Sequence, residues 1–260
     1  TTGRGCYERG DFRRAADAFG RAQQRARALD DAEALAVAAV NRAVCLLAAG
    51  QAEEALAGVD EALADARVAD ARRAELLVAG ARAEAALDRA DGALARVDLA
   101  LKLAPDAPVK AQALMARSAA WLAKKDTAAA TKALAEGMLP KDWDRLPASL
   151  RAEKAVLQAQ IAVAAEKPAE AFALQDEAAA LWKKAGRLPE MARALAEAGR
   201  QAKAAGDLAN ACDRFYRAAR SLWAQGIQPE AVKVLEEGVS CAEKLKDDAV
   251  GKRLADLFVT

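Results

Sequence analysis

An alanine, an apolar residue four positions on, and a small residue three further on recur at a near-constant interval along the whole chain. The set reads Ala15-Phe19-Ala22, Ala55-Val59-Ala62, Ala93-Val97-Ala100, Ala130-Leu134-Gly137, Ala171-Gln175-Ala178 and Ala211-Phe215-Ala218. The leading alanines are 40, 38, 37, 41 and 40 residues apart. Steps of four and three keep each triplet on one face of an α-helix. A motif that returns every 37–41 residues is one helical hairpin, unable to bury its apolar face alone. Stacking the hairpins solves that problem, and such stacks work by presenting an extended surface.

Composition supports helices throughout. Alanine supplies 75 of the 260 residues, and it combines the best helix propensity with the closest helix approach. No alternating run of β-branched or aromatic residues predicts a strand. All seven prolines, Pro105, Pro108, Pro140, Pro147, Pro168, Pro189 and Pro229, fall where helix boundaries are expected. Gly137 to Pro147 holds a glycine and two prolines and breaks the rhythm. It divides the chain into hairpins over 1–137, an irregular linker or hinge over 138–147, and hairpins over 148–260. A short helix near Ala249–Phe258 is expected to cap the last hairpin.

Catalytic signals are missing. The chain has no histidine, which removes the commonest general base and metal ligand. It has no Cys-x-x-Cys pair and no strand from which a phosphate loop would spring. We therefore expect no enzyme, no cofactor and no metal site. A formal charge of +1 gives no basic footprint for nucleic acid. The first 27 residues are a local exception, with seven arginines against three acids; they are a solvated face or a contact for an acidic partner. No uninterrupted apolar run is long enough to span a bilayer. The start at Thr1-Thr2-Gly3 leads us to expect that an upstream segment, such as an anchor, has been removed.

Four cysteines form two sequence pairs, Cys6 with Cys45 and Cys212 with Cys241. Two readings stay open. Disulfides would staple the end repeats and imply an oxidising compartment, a bacterial periplasm or envelope. Buried thiols would serve as small apolar residues and leave a cytoplasmic location open.

The segments Gly10-x-Phe12-x2-Ala15-x3-Phe19-x2-Ala22 and Gly206-x-Leu208-x2-Ala211-x3-Phe215-x2-Ala218 resemble the tetratricopeptide repeat. Gly50 through Leu63 and Ala93 through Pro105 are similar, and Ala43, Ala81, Ser118 and Ala159 stand where its first helix must be small. The resemblance implies a right-handed α-solenoid of about six to seven hairpins. The period departs from the family's usual 34 toward the long repeats of some bacterial regulators and motor adaptors. Gln175 stands where an apolar residue is expected.

In that family the first helix of each hairpin lines a concave face. Carried over, the lining is Tyr7 and Arg4, then Val37, Val40, Val44 and Leu47, then Glu75, Val78, Arg82 and Ala85. It continues with Gln112, Met115, Ala119 and Leu122, with Glu153, Val156, Gln160 and Val163, and with Ala192, Ala196, Arg200 and Lys203. This set is apolar where carboxylate-gripping relatives carry Lys, Arg and Asn. Each exposed Val or Leu forgoes roughly 1.5–3 kcal/mol of burial, so something must cover the face. Three coverings satisfy this: the array itself, an amphipathic or apolar segment of a partner protein, or a lipid-like molecule. The second makes the chain a non-enzymatic scaffold or adaptor. The third makes it an envelope lipoprotein-type component of lipid traffic.

Overall fold

The computed structural model describes residues 2–8 and 10–246. They form fourteen helices and no strand. The helices are α1 (Thr2–Glu8), α2 (Phe12–Ala28), α3 (Ala32–Ala48), α4 (Ala52–Leu63), α5 (Asp70–Ala86), α6 (Ala90–Lys102) and α7 (Ala107–Ala123). There follow α8 (Thr127–Ala135), α9 (Pro140–Asp144), α10 (Ala148–Ala164), α11 (Pro168–Lys184), α12 (Leu188–Ala204), α13 (Leu208–Ala224) and α14 (Gln228–Leu245). The protein is an all-α helical repeat. It divides into two compact units, Thr1–Asp142 and Trp143–Thr260. The predicted irregular segment 138–147 contains this division and also the short helix α9. The predicted cap near Ala249–Phe258 lies outside the described residues.

The period near 40 has a simple origin in the second unit. From α10 to α14 successive helices begin at Ala148, Pro168, Leu188, Leu208 and Gln228, 20 residues apart. Each of the first four is 17 residues long. The short link does two jobs. After α12, Gly206 takes φ +83° and the Asp207 N–H reaches back to the Ala202 carbonyl, closing one helix. Asp207 then accepts from the Asn210 N–H and opens the next. In the first unit the second helices are shorter, 12 residues in α4, 13 in α6 and 9 in α8, and longer links make up the difference.

The anchor triplets are the packing face. Ala55, Val59 and Ala62, Ala93, Val97 and Ala100, and Ala211, Phe215 and Ala218 are all buried. Their small partners allow the approach: a Cβ on Gly199 of α12 would sit 2.9 Å from the Phe215 ring, and one on Gly3 of α1 would sit 2.9 Å from Phe19. Helix α1 has 7 residues, so it covers α2 only part way. Ala22 is exposed, whereas its equivalents Ala62, Ala100, Ala178 and Ala218 are buried.

Of the two readings open for the cysteines, the structure has them as buried free thiols. Cys6, Cys45, Cys212 and Cys241 are all buried, and no disulfide joins any of them. Cys6 and Cys45 belong to the alanine-rich core of the first unit, Cys212 and Cys241 to that of the second. The Cys241 Sγ faces the Leu208 carbonyl at 3.6 Å. Burial pushes the Cys45 thiol up to about 11.

Candidate functional site

Whether the first helices of the hairpins enclose a groove depends on what separates them. In the first unit α3 packs on α5 and α5 on α7. Helix α5 places Leu76, Ala79 and Ala83 in the cluster that holds Ala36, Ala39 and Ala43 of α3. Its other side shares a cluster with Val109, Ala113, Ala116 and Ala120 of α7. Small side chains draw these helices together and bury Val78 and Met115 between them. In the second unit α10, α12 and α14 each pack chiefly on the intervening α11 and α13. Long charged side chains bridge α12 to α14, and a groove of about 770 Å³ opens there.

One wall of the groove is apolar. Val156, Gln160 and Val163 recur at steps of four and three along α10. The other wall is an ion-pair ladder. Glu190, Arg193, Glu197 and Arg200 share one face of α12, while Glu230, Lys233 and Glu237 share one face of α14. Arg193 donates through Nε and Nη2 to both Glu230 oxygens, each at 2.8 Å. Arg200 does the same to Glu237 at 2.9 and 2.8 Å, and its Nη1 donates to Glu197 at 2.8 Å. Bidentate pairs of this kind fix the separation of two helices as well as their charge. Gln175 and Trp182 of α11 and Leu222 of α13 complete the lining.

The lining holds three acids, Glu190, Glu197 and Glu230, and three bases, Arg193, Arg200 and Lys233, so it is charge-balanced. The Arg193 hydrogen bonds hold the Glu230 carboxyl below its ordinary range, against an opposing effect of burial. Arg200 is raised, first by its hydrogen bond to Glu237. Both shifts favour the ionised ladder.

The predicted lining residues divide between these settings. Val156, Val163 and Arg200 come together in the groove, with Gln160 and Ala196 beside them. Lys203 stands half-buried on α12, outside that lining. In the first unit Val78 and Met115 are core, 3% and 7% exposed, because α5 is packed against both neighbours. Val37, Val40, Val44 and Leu47 are half-buried on α3, and Leu122 is half-buried on α7. Arg82 is exposed. The first unit thus buries Val78 and Met115 and leaves the apolar residues of α3 half-buried.

The sequence reading missed Arg193, Glu230, Lys233 and Trp182. A signal was present: Arg193 and Glu230, like Arg200 and Glu237, are 37 residues apart, about one period. The same rule pairs Arg67 with Asp30, Arg89 with Glu53, Arg96 with Asp60 and Arg214 with Asp176. Charges about one period apart therefore tie equivalent positions of successive repeats.

The basic N-terminal stretch is exposed on α2. Arg14 pairs with Asp11 and Arg27 with Glu61. Arg21 and Arg25 line a smaller hollow of about 450 Å³ beside Ala18, Ala22 and the 78% exposed Leu29. No described helix is long and apolar enough to cross a membrane.

No protein-family model matches this chain, and no curated protein does. Among solved structures the chain is similar to the crystal structure of BtubC (BKLC) from P. vanneervenii, with a TM-score of 0.63 and 18% identity. The match covers 83% of this chain and 92% of the other. At that identity the likeness shows a shared fold alone.

Proposed function

We propose that the protein is a non-enzymatic interaction scaffold of tetratricopeptide-repeat type, and that the groove along α10, α12 and α14 takes up an amphipathic segment of a partner protein. The observation that carries this reading is the groove's two-sided lining: valines on α10 face a self-neutralised Arg–Glu ladder on α12 and α14. An amphipathic segment matches both walls, its apolar stripe on Val156 and Val163 and its polar stripe along the ladder. A hydrocarbon chain matches only one wall, since it would strip water from six charged side chains without replacing a hydrogen bond. The lipid-carrier reading is therefore the weaker one. Without disulfides the thiols give no reason to prefer an oxidising compartment.

The test is selection of displayed amphipathic peptides on the intact protein, followed by affinity measurement on variants. Val163 is 45% exposed, so Val163→Asp leaves the core intact. Burying a valine contributes roughly 1.5–3 kcal/mol, so selected peptides should lose about tenfold or more in affinity on Val163→Asp. Leu29→Asp, an exposed change in the first unit, should leave them unaffected. Peptides that bind equally well to Val163→Asp would place recognition elsewhere and refute the reading.

A further inference from the structure

At the floor of the groove stands a polar side chain that the fold itself does not use. The leading position of the packing triplet in α11 is Ala171, and the residue four further on is Gln175. The other five triplets place Phe19, Val59, Val97, Leu134 and Phe215 there. Gln175 is only 4% exposed, yet among the described residues no hydrogen bond reaches its side-chain amide. That amide is not sealed in the core, as the Nε2 of Gln23 is. Gln175 lines the groove, and its amide opens there. An amide in such a place costs stability that the apolar residue of the other repeats would supply. The arginines and glutamates of the groove are committed, Arg193 to Glu230, Arg200 to Glu237 and Glu197, and Glu190 to Arg187, while Gln160 and Lys233 are exposed to solvent. Gln175 is thus a donor and an acceptor left for a ligand.

We propose that Gln175 is the specificity-determining residue of this groove, and that it pairs with the side-chain amide of an Asn or Gln on the apolar face of an amphipathic helix from a partner protein. The proposal rests on the scaffold reading above and names what that scaffold selects. A primary amide matches Gln175 in both directions, N–H to carbonyl and carbonyl to N–H, at one buried point. A helix uses its own main-chain amides internally, so only a side chain reaches the floor. Charge argues the same way. Arg193 and Arg200 are already paired, so an anionic group would find the exposed Lys233 rather than Gln175, and a purely apolar group would leave the Gln175 amide unsatisfied. The site rejects both and accepts an uncharged hydrogen-bonding side chain, the kind of discrimination at which buried polar groups are strongest.

The experiment is a pair of selections on the full chain. A display library of amphipathic helical peptides, randomised at one central position of the apolar face, is selected against the protein and against Gln175→Leu. The proposal expects Asn and Gln to be enriched on the native protein and Leu, Ile, Val or Phe on Gln175→Leu. Peptides selected on the native protein should lose tenfold or more in affinity on Gln175→Leu. That variant should melt no lower than the native protein, which separates lost recognition from lost folding. If both selections return the same apolar residues, in peptides that Val163→Asp still weakens, the amide pairing is overturned and the scaffold reading stands. If no selected peptide is sensitive to Val163→Asp, the groove reading fails and this proposal fails with it.

Discussion

Replacing Gly199 by alanine tests the central claim about how the hairpins pack. Gly199 lies on α12, opposite Phe215 of α13, where an added Cβ would sit 2.9 Å from Cδ1 and Cε1 and 3.2 Å from Cγ. Carbon atoms in ordinary contact are about 3.5–4.0 Å apart, so ring and helix must separate by about 0.6 Å or more. The ring has nowhere to go, since Phe215 is 0% exposed in a cluster with Ala211, Ala218 and Leu222. Overpacking of this kind costs typically about 1–3 kcal/mol. Against it stands the gain in helix propensity from Gly to Ala, about 0.8–1 kcal/mol. The net expectation is a loss of about 1 kcal/mol. Gly58 of α4 is the control, because a Cβ there meets only the Arg42 Nη1, at 3.6 Å. Gly58→Ala should keep most of the propensity gain and stabilise. Urea unfolding, followed by circular dichroism and by tryptophan fluorescence, reads both. Three of the four tryptophans, Trp143, Trp182 and Trp223, belong to the second unit and report on Gly199 directly. Phe215→Leu should couple favourably with Gly199→Ala, by about 0.5–3 kcal/mol in a double-mutant cycle. If Gly199→Ala stabilises as much as Gly58→Ala, or if the cycle shows no coupling, the close approach is not what holds these helices together.

Two further outcomes follow from the ionisable groups. The Glu230 carboxyl is depressed in the folded protein by Arg193, so its contribution is complete at neutral pH and is lost as pH falls through the carboxylate range toward its folded value. The gap in urea midpoint between the native protein and Glu230→Gln should therefore narrow from pH 7 to about pH 3, and a gap independent of pH would refute the clasp. The second outcome concerns thiols. With Cys45 pushed up to about 11 and buried, it should react with a thiol reagent only as the protein unfolds, and all four cysteines should titrate in denaturant without reductant. Fewer than four would restore the stapled reading.

Much of the molecule is legible one helix at a time. Propensity, capping aspartates, boundary prolines and the triplet period are local properties, and they mark out the long helices. The capping logic of Asp207 and the burial of Ala211, Phe215 and Ala218 follow from neighbours in sequence. The lining of the groove does not. Val78 and Val156 hold equivalent positions on their helices and both look like concave-face residues, yet Val78 is 3% exposed while Val156 is half-buried and lines the groove. The difference lies in what stands on the next repeat: alanines let α5 close on its neighbours, while Arg193, Arg200, Glu230 and Glu237 bridge α12 to α14 with long side chains.

The sequence by itself therefore determined an all-helical repeat, the length of its period and the face on which each helix packs, because those depend on residues within a turn or a loop of one another. Only the tertiary structure decided which charges pair, where the stack closes on itself and where it leaves a groove with Gln175 at its floor. These depend on the spacing between helices about 40 residues apart, which the size of facing side chains sets after the hairpins have docked.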